Sequence, residues 1–220
     1  MATSRPTVSP STATDILDIA EGLVQSRGFN GFSYADVSSE MGITKAALHY
    51  HFAGKAELGE RLITRYTDRF DDALAAIDAA ALSVPDRLVA YCDLYRATLR
   101  GQRMCLCGML AAEYNTLGQP MRDAIVRFFD QNQRWLTALL ATGRQTGTLR
   151  FAGPDEQAAK TIIAALEGGM LVARPFQDTA VLDAVIDRLL IDFAGDTGPF
   201  VPLTFASVTS PSPSKVPKTR

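Results

Sequence analysis

Cysteine is scarce in this chain: three residues in 220, an odd number that builds no disulfide framework and suits a reducing cytoplasm. Histidine is scarcer still, with His49 and His51 the two examples. No apolar run reaches the roughly 18 uninterrupted residues a membrane span needs, because charges interrupt every candidate. The opening stretch MATSRPTVSPSTATD has no apolar segment after its arginine and does not read as a secretory signal. Positive charge is not in excess either. The net charge is −2 and the pI about 5.7, a balance unsuited to non-specific nucleic-acid binding, so any basic surface must be local. Phosphate-cradling glycine loops, dinucleotide fingerprints and nucleophile elbows are missing. So is any strand-period stretch longer than a few residues.

What remains is helical period almost throughout, predicting an all-α fold of about nine helices. Residues 12–27 place Ile16, Ile19, Ala20, Leu23 and Val24 on one face, with Thr14 as N-cap and Gly28 as the stop. Two short helices follow, one opened by Ser33 and closed by Gly42, the other running from Thr44 to Phe52. A long helix is expected over 55–80, then others over 83–99, 104–117, 120–147, 154–173 and 178–195. Proline in the first turn of several fits these starts. From Asp196 the composition shifts to Pro, Ser and Thr, which reads as a mobile tail over 196–220; residues 1–11 read as a disordered arm.

Residues 34–52, YADVSSEMGITKAALHYHF, carry the sharpest pattern. Val37 and Met41 face a core, Gly42 makes the turn, and Ile43 and Leu48 plug the angle between two helices, with Ser38 small enough for close approach. This is a helix-turn-helix pattern, in which the second helix enters a major groove. That helix begins with Thr44 and Lys45, where free N–H groups and the dipole favour phosphate. Ala46 and Ala47 keep it thin and can touch a thymine methyl. His49, Tyr50 and His51 present polar tips, and Lys55 follows as a point charge. A metal site is disfavoured, because His49 and His51, two apart, do not share a helix face. His51 also lacks a nucleophile partner for catalysis.

The stretch FSYADVSSEMGITKAALHYHFAGK resembles the DNA-binding domain of the TetR family of bacterial transcriptional repressors. The resemblance is carried by residues 12–60, and the helical order extends it to about 195. It implies a DNA-binding domain over 12–55 and a regulatory, dimerising domain over 56–195. It further implies that Thr44, Tyr50, His51 and Lys55 contact phosphates while Lys45, Ala46 and His49 face base edges, with Ser33 and Ala47 completing the candidate set. The family more often has tyrosine where this chain has His49; an imidazole can keep that hydrogen bond or add a mild pH dependence. Residues 1–55 carry four cations against five anions. Few phosphate contacts per protomer follow, and two protomers on a two-fold symmetric operator would double them.

In the larger half, AAKTIIAALEGGMLVA is apolar nearly all round, which asks for burial on more than one side. Ile162, Leu166, Gly169 and Met170 there, with Val185, Leu189 and Phe193 on the last helix, are the expected homodimer interface. A ligand pocket is expected among Tyr91, Met104, Cys105, Cys107, Met109, Glu113, Tyr114, Phe128 and Trp135, a soft aromatic lining. Cys105 and Cys107, near a helix start, raise the alternative of thiol sensing of electrophiles or oxidants. The combined reading is a cytoplasmic, ligand-responsive, homodimeric repressor of double-stranded DNA with a palindromic operator. It is expected to need no cofactor, metal or membrane and to have no enzymatic activity. The rivals are a small all-α enzyme using Cys105, Cys107 or Glu113, and a protein-binding adaptor.

Overall fold

The computed structural model describes residues 10–193; the expected N-terminal arm, apart from Pro10 and Ser11, and the Pro/Ser-rich tail lie outside that range. Within it the fold is all-α: α1 (Pro10–Arg27), α2 (Tyr34–Met41), α3 (Lys45–His51), α4 (Lys55–Ala79), α5 (Val84–Arg100), α6 (Leu106–Ala112), α7 (Gln119–Thr146), α8 (Asp155–Ala173) and α9 (Ala180–Phe193). Two single 3-10 turns, Tyr114–Thr116 and Arg174–Phe176, follow α6 and α8. Two boundaries differ from the sequence reading. Thr14 lies inside α1, because the helix already begins at Pro10. The single helix expected over 104–117 breaks at Glu113, whose carboxylate is drawn to another part of the chain.

The termini of the elements follow local chemistry. Ser33 precedes α2, and the Asp36 carboxylate accepts from both its N–H at 2.6 Å and its hydroxyl at 2.7 Å, which holds the Asp36 pKa low. Gly42 ends α2 in the left-handed region, φ 66°, a conformation that penalises any side chain with a Cβ. Ser83 caps α5 through Asp86 N–H, with Pro85 in the first turn.

The core is continuous from head to body. In the head, α1 and α2 bury Ile16, Ala20, Val24 and Val37 against Leu48 and Phe52 of the α3 segment. In the body, α8 lies at the centre, packed mainly against α7 and α9. Arg96 of α5 ties α9 by pairing with Asp183 at 2.8 Å and Asp187 at 3.2 Å.

The joint between head and body is polar and specific. Met104 N–H donates to the Gln25 carbonyl, and Gln25 Nε2 donates back to the Met104 carbonyl at 2.9 Å. On the other side of α1, Glu21 is held by Arg65 and Arg69 of α4, and Asp18 by Arg65 at 2.9 Å. Two of the head's five acids are thereby neutralised at the joint, which leaves less negative charge elsewhere on the head.

Candidate nucleic-acid interface and regulatory interior

Helix α3 has one buried anchor, Leu48, at 0% exposure, and burying that side chain contributes roughly 1.5–3 kcal/mol to holding the helix. Thr44 caps it by accepting from Ala47 N–H at 3.1 Å. The rest of its surface faces outward: Thr44, Lys45, Ala46, His49 and Tyr50 are exposed, while Ala47 and His51 are half-buried. Tyr50 is 75% exposed, although it is a large ring on a helix with an available core. Its ring stands perpendicular to that of His51, centroids 5.7 Å apart. His49 packs on Tyr34 at 4.8 Å, and its Nδ1 lies 3.2 Å from the Ala53 carbonyl. Tyr34 in turn donates to the Phe52 carbonyl, and burial together with the Glu57 charge pushes its hydroxyl up to about 12. These contacts fix the angle of α3 and leave Thr44, Lys45, Ala46 and Tyr50 as its open edge.

Two of the expected contacts sit differently. Ser33 has its hydroxyl engaged with Asp36. Lys55 does not extend outward: its Nζ donates to the carbonyls of Phe29 and Phe32 and lies over both rings, 4.6 and 4.3 Å from their centroids. Burial lowers its pKa, against the raising influence of Glu113 and Asp36. The lysine closes the α1–α2 loop from beneath rather than standing ready for a phosphate, because that loop's free carbonyls and aromatic faces outcompete solvent.

The nine expected pocket residues separate into three places. Tyr91, Cys105, Cys107 and Phe128 converge in the buried interior of the body. Met104, Glu113 and Tyr114 belong to the head–body joint, where the Glu113 carboxylate accepts from Phe29 N–H at 2.6 Å and Asn30 N–H at 3.2 Å and Arg122 covers the Tyr114 ring. Met109 and Trp135 lie at the rim. Arg174 reaches the Met109 sulfur, and Trp135 stacks on Tyr91 while donating to Asp78 at 2.8 Å.

Around these lie residues the sequence reading did not assign to the pocket: Tyr95 and Asn132, buried, and Tyr66, Phe70 and Glu167, half-buried; of these, Tyr66 and Phe70 have the inward positions expected from the spacing of the long helix. Phe70 meets Phe128, Tyr91 and Tyr95 edge-on at 5.2, 6.4 and 6.4 Å. Asn132 accepts from Tyr91 at 2.6 Å and donates to Tyr95 at 3.2 Å, completing a closed polar network. The signal for Glu167 in the sequence is its place as the one acid inside the apolar run AAKTIIAALEGGMLVA on α8. The thiols do not favour the sensing alternative. Cys92, Cys105 and Cys107 are free and buried. Burial pushes the Cys92 thiol up to about 12 and, with the Glu167 charge, raises Cys105 and Cys107 well above their usual value. A thiol is the weak form of the nucleophile.

Most of the expected dimer residues face the protomer's own core: Ile162, Leu166, Gly169, Met170 and Phe193 are buried, while Leu189, although largely buried, lines an open groove together with half-exposed Val185. The same two helices expose a second apolar face, with Leu171, Val172 and Ile191 at 59, 54 and 63%. The open groove, of about 610 Å³, lies between the same two helices, lined by Ala165, Val181, Ala184, Val185, Arg188 and Leu189. Among the described residues no His, Cys, Asp and Glu cluster could hold a metal ion, and no helix is long and apolar enough to cross a membrane.

Comparison with known proteins finds two family models along the chain. Residues 16–62 match the model of bacterial regulatory proteins of the tetR family, and residues 84–189 match the tetracyclin repressor-like C-terminal domain. A TetR-family transcriptional regulator from Agrobacterium tumefaciens superposes with a TM-score of 0.81 at 30% identity, covering 84% of this chain and 98% of its own. The transcriptional repressor NemR of Escherichia coli is 26% identical over 174 residues, 74% of this chain and 84% of NemR. The repressor DhaR of a Mycobacterium strain is 24% identical over 146 residues, 66% of this chain and 73% of DhaR.

Proposed function

The chain belongs to the TetR family of bacterial transcriptional regulators, DNA-binding proteins that act as dimers, and from that premise we propose a homodimeric repressor released from a palindromic operator by a small hydrophobic or amphipathic molecule. The observation that carries this reading is α3. Its one buried residue, Leu48, holds it against the head, and Thr44, Lys45, Ala46 and Tyr50 stand exposed along its open edge. Tyr50 and Thr44 donate to phosphates, Lys45 supplies charge, and Ala46 allows close approach to base edges. His49 contributes through the edge it does not direct at Ala53, and His51 lies at the margin. The apolar outer face of α8 and α9 supports the two-fold pairing that brings two such helices to successive major grooves.

Release follows from linkage. Helix α6 starts at Cys105 beside the buried interior and ends at Glu113, which holds the N–H groups of Phe29 and Asn30 in the head. A molecule entering the interior displaces α6 and with it α1, so the two heads leave the half-site spacing. It must bind that state better than the DNA-bound one, or it shifts nothing.

Selection of the purified protein on random duplex DNA is the direct test. A two-fold symmetric consensus is expected, and Tyr50→Ala should weaken binding to it by about tenfold or more without unfolding the protein. Failure to enrich any sequence at low salt would remove the reading.

A further inference from the structure

The interior of the body contains polar groups of two kinds. Tyr91, Tyr95 and Asn132 satisfy one another. Glu167 does not join them. Its Oε1 is sealed from solvent with no hydrogen-bond partner in the protein, no basic residue pairs with it in any ion pair of the described residues, and its one hydrogen-bonding neighbour is the Cys105 thiol. An unpaired buried carboxyl costs far more than a leucine at the same place, so its presence asks for a partner that arrives from outside.

The surroundings specify that partner. Room for the carboxylate is made by Gly108, where a Cβ would come within 2.2 Å of Oε2. Tyr66 donates to Cys105 Sγ at 3.6 Å, and the Tyr66 ring leads to Phe128 and Phe70, 5.6 and 6.5 Å away. The Glu167 charge is close enough to push up the hydroxyls of Tyr66, Tyr91 and Tyr95. A lone carboxylate oxygen beside aromatic faces, with no cation of the protein's own, is complementary to positive charge that carries an N–H. Resting on the repressor reading above, we propose that Glu167 anchors the effector, and that the effector is an organic cation: a protonated amine or amidine on an aromatic or aliphatic body. The amine N–H bonds to Oε1, and the apolar body lies among Tyr66, Phe70 and Phe128. Because Glu167 abuts Gly108 and Cys105 at the start of α6, the occupant acts on the helix that holds the head.

The test uses the full-length protein and a matched series of arylalkyl amines, alcohols and carboxylates of increasing chain length, with binding read by calorimetry in the absence of DNA. Amines should bind at least about tenfold tighter than alcohols of equal length, and carboxylates weakest. Glu167→Gln should abolish the amine preference. If no amine binds, if wild type shows no preference, or if a folded Glu167→Gln retains it, the assignment is overturned. Should the variant not fold, the charge preference of the wild type still decides. Release from the selected operator is measured separately. Amine binding without release keeps the site and removes ligand-controlled repression, whereas release by neutral or anionic members without amine preference does the reverse.

Discussion

The head and the body leave opposite things incomplete. The head is polar outside and closed within: Asp18, Glu21 and Asp36 are paired or engaged at a cap, Lys55 is half-buried against its own loop, and the edge of α3 is uncommitted. The body has an apolar outside along α8 and α9 and an uncompensated acid within. A surface meant for a hydrated polyanion must be exposed and polar before it binds. A surface meant for another protomer, or an interior meant for a small molecule, keeps its complement missing until it arrives. That difference is the one the proposed function calls for, with each region taking its partner where it is left incomplete.

The strongest way to break this contrast is to make the apolar face polar. Ala184→Lys places a cation beside Arg188 in the groove and repeats it across the two-fold axis, at a cost of roughly 3 kcal/mol or more to pairing. Sedimentation should show a folded monomer, and operator affinity should fall at least about a hundredfold as the two heads bind independently. A dimer that survives would place the pairing face elsewhere.

The acid comes next. Burial raises the Glu167 pKa from 4.5 to about 7, with the Cys105 hydrogen bond acting the other way. The folded state therefore holds this proton more tightly than the unfolded chain. Wild type loses stability relative to Glu167→Gln as pH rises from 4.5 towards 7, and the full gap, at most about 3 kcal/mol, is present above it. The groups around it that the carboxylate influences are Tyr66, Tyr91, Tyr95, Cys105 and Cys107. Urea denaturation from pH 4.5 to 8 reads the gap directly, and a constant difference across that range would contradict the burial argument.

Cutting the joint should cost less. Glu113→Ala leaves the Phe29 and Asn30 N–H groups without their acceptor and should lower stability by about 2 kcal/mol; hydrogen exchange should rise at residues 28–32 before the α8 core. Lys55→Gln acts on the same loop from beneath and should lower the melting temperature. The smallest effect separates the two lysines. Lys45→Gln should reduce the slope of log K against log salt by about 1 per protomer, while Lys55→Gln should leave the slope unchanged. Equal slopes for both variants would return Lys55 to the phosphate-contacting set.

Much of the head was legible because its signals are local. The capping by Ser33 and Thr44, the left-handed Gly42 and the apolar spacing of Val37, Leu48 and Phe52 act within a few residues, so pattern reading recovered the hairpin and its outward face. Lys55 was misplaced because nothing local marks the carbonyls of Phe29 and Phe32 as its partners, and Glu113 because its partners lie 84 and 83 residues away. On α8 and α9 the sequence revealed an excess of apolar surface without dividing it. Periodicity identifies which residues are apolar, not which of two faces the protomer's own α7 will cover.

By itself, then, the sequence determined the helices, their order, the turn between α2 and α3 and the family resemblance, since propensity, capping and spacing are encoded residue by residue. Tertiary structure alone decided that Lys55 turns inward, that Glu113 fastens the head to the body, that the cysteines are sealed and that Glu167 stands unpaired among aromatic rings. Those outcomes depend on burial and on charges brought together from distant segments, and the free energy of a charge is set by what surrounds it after folding.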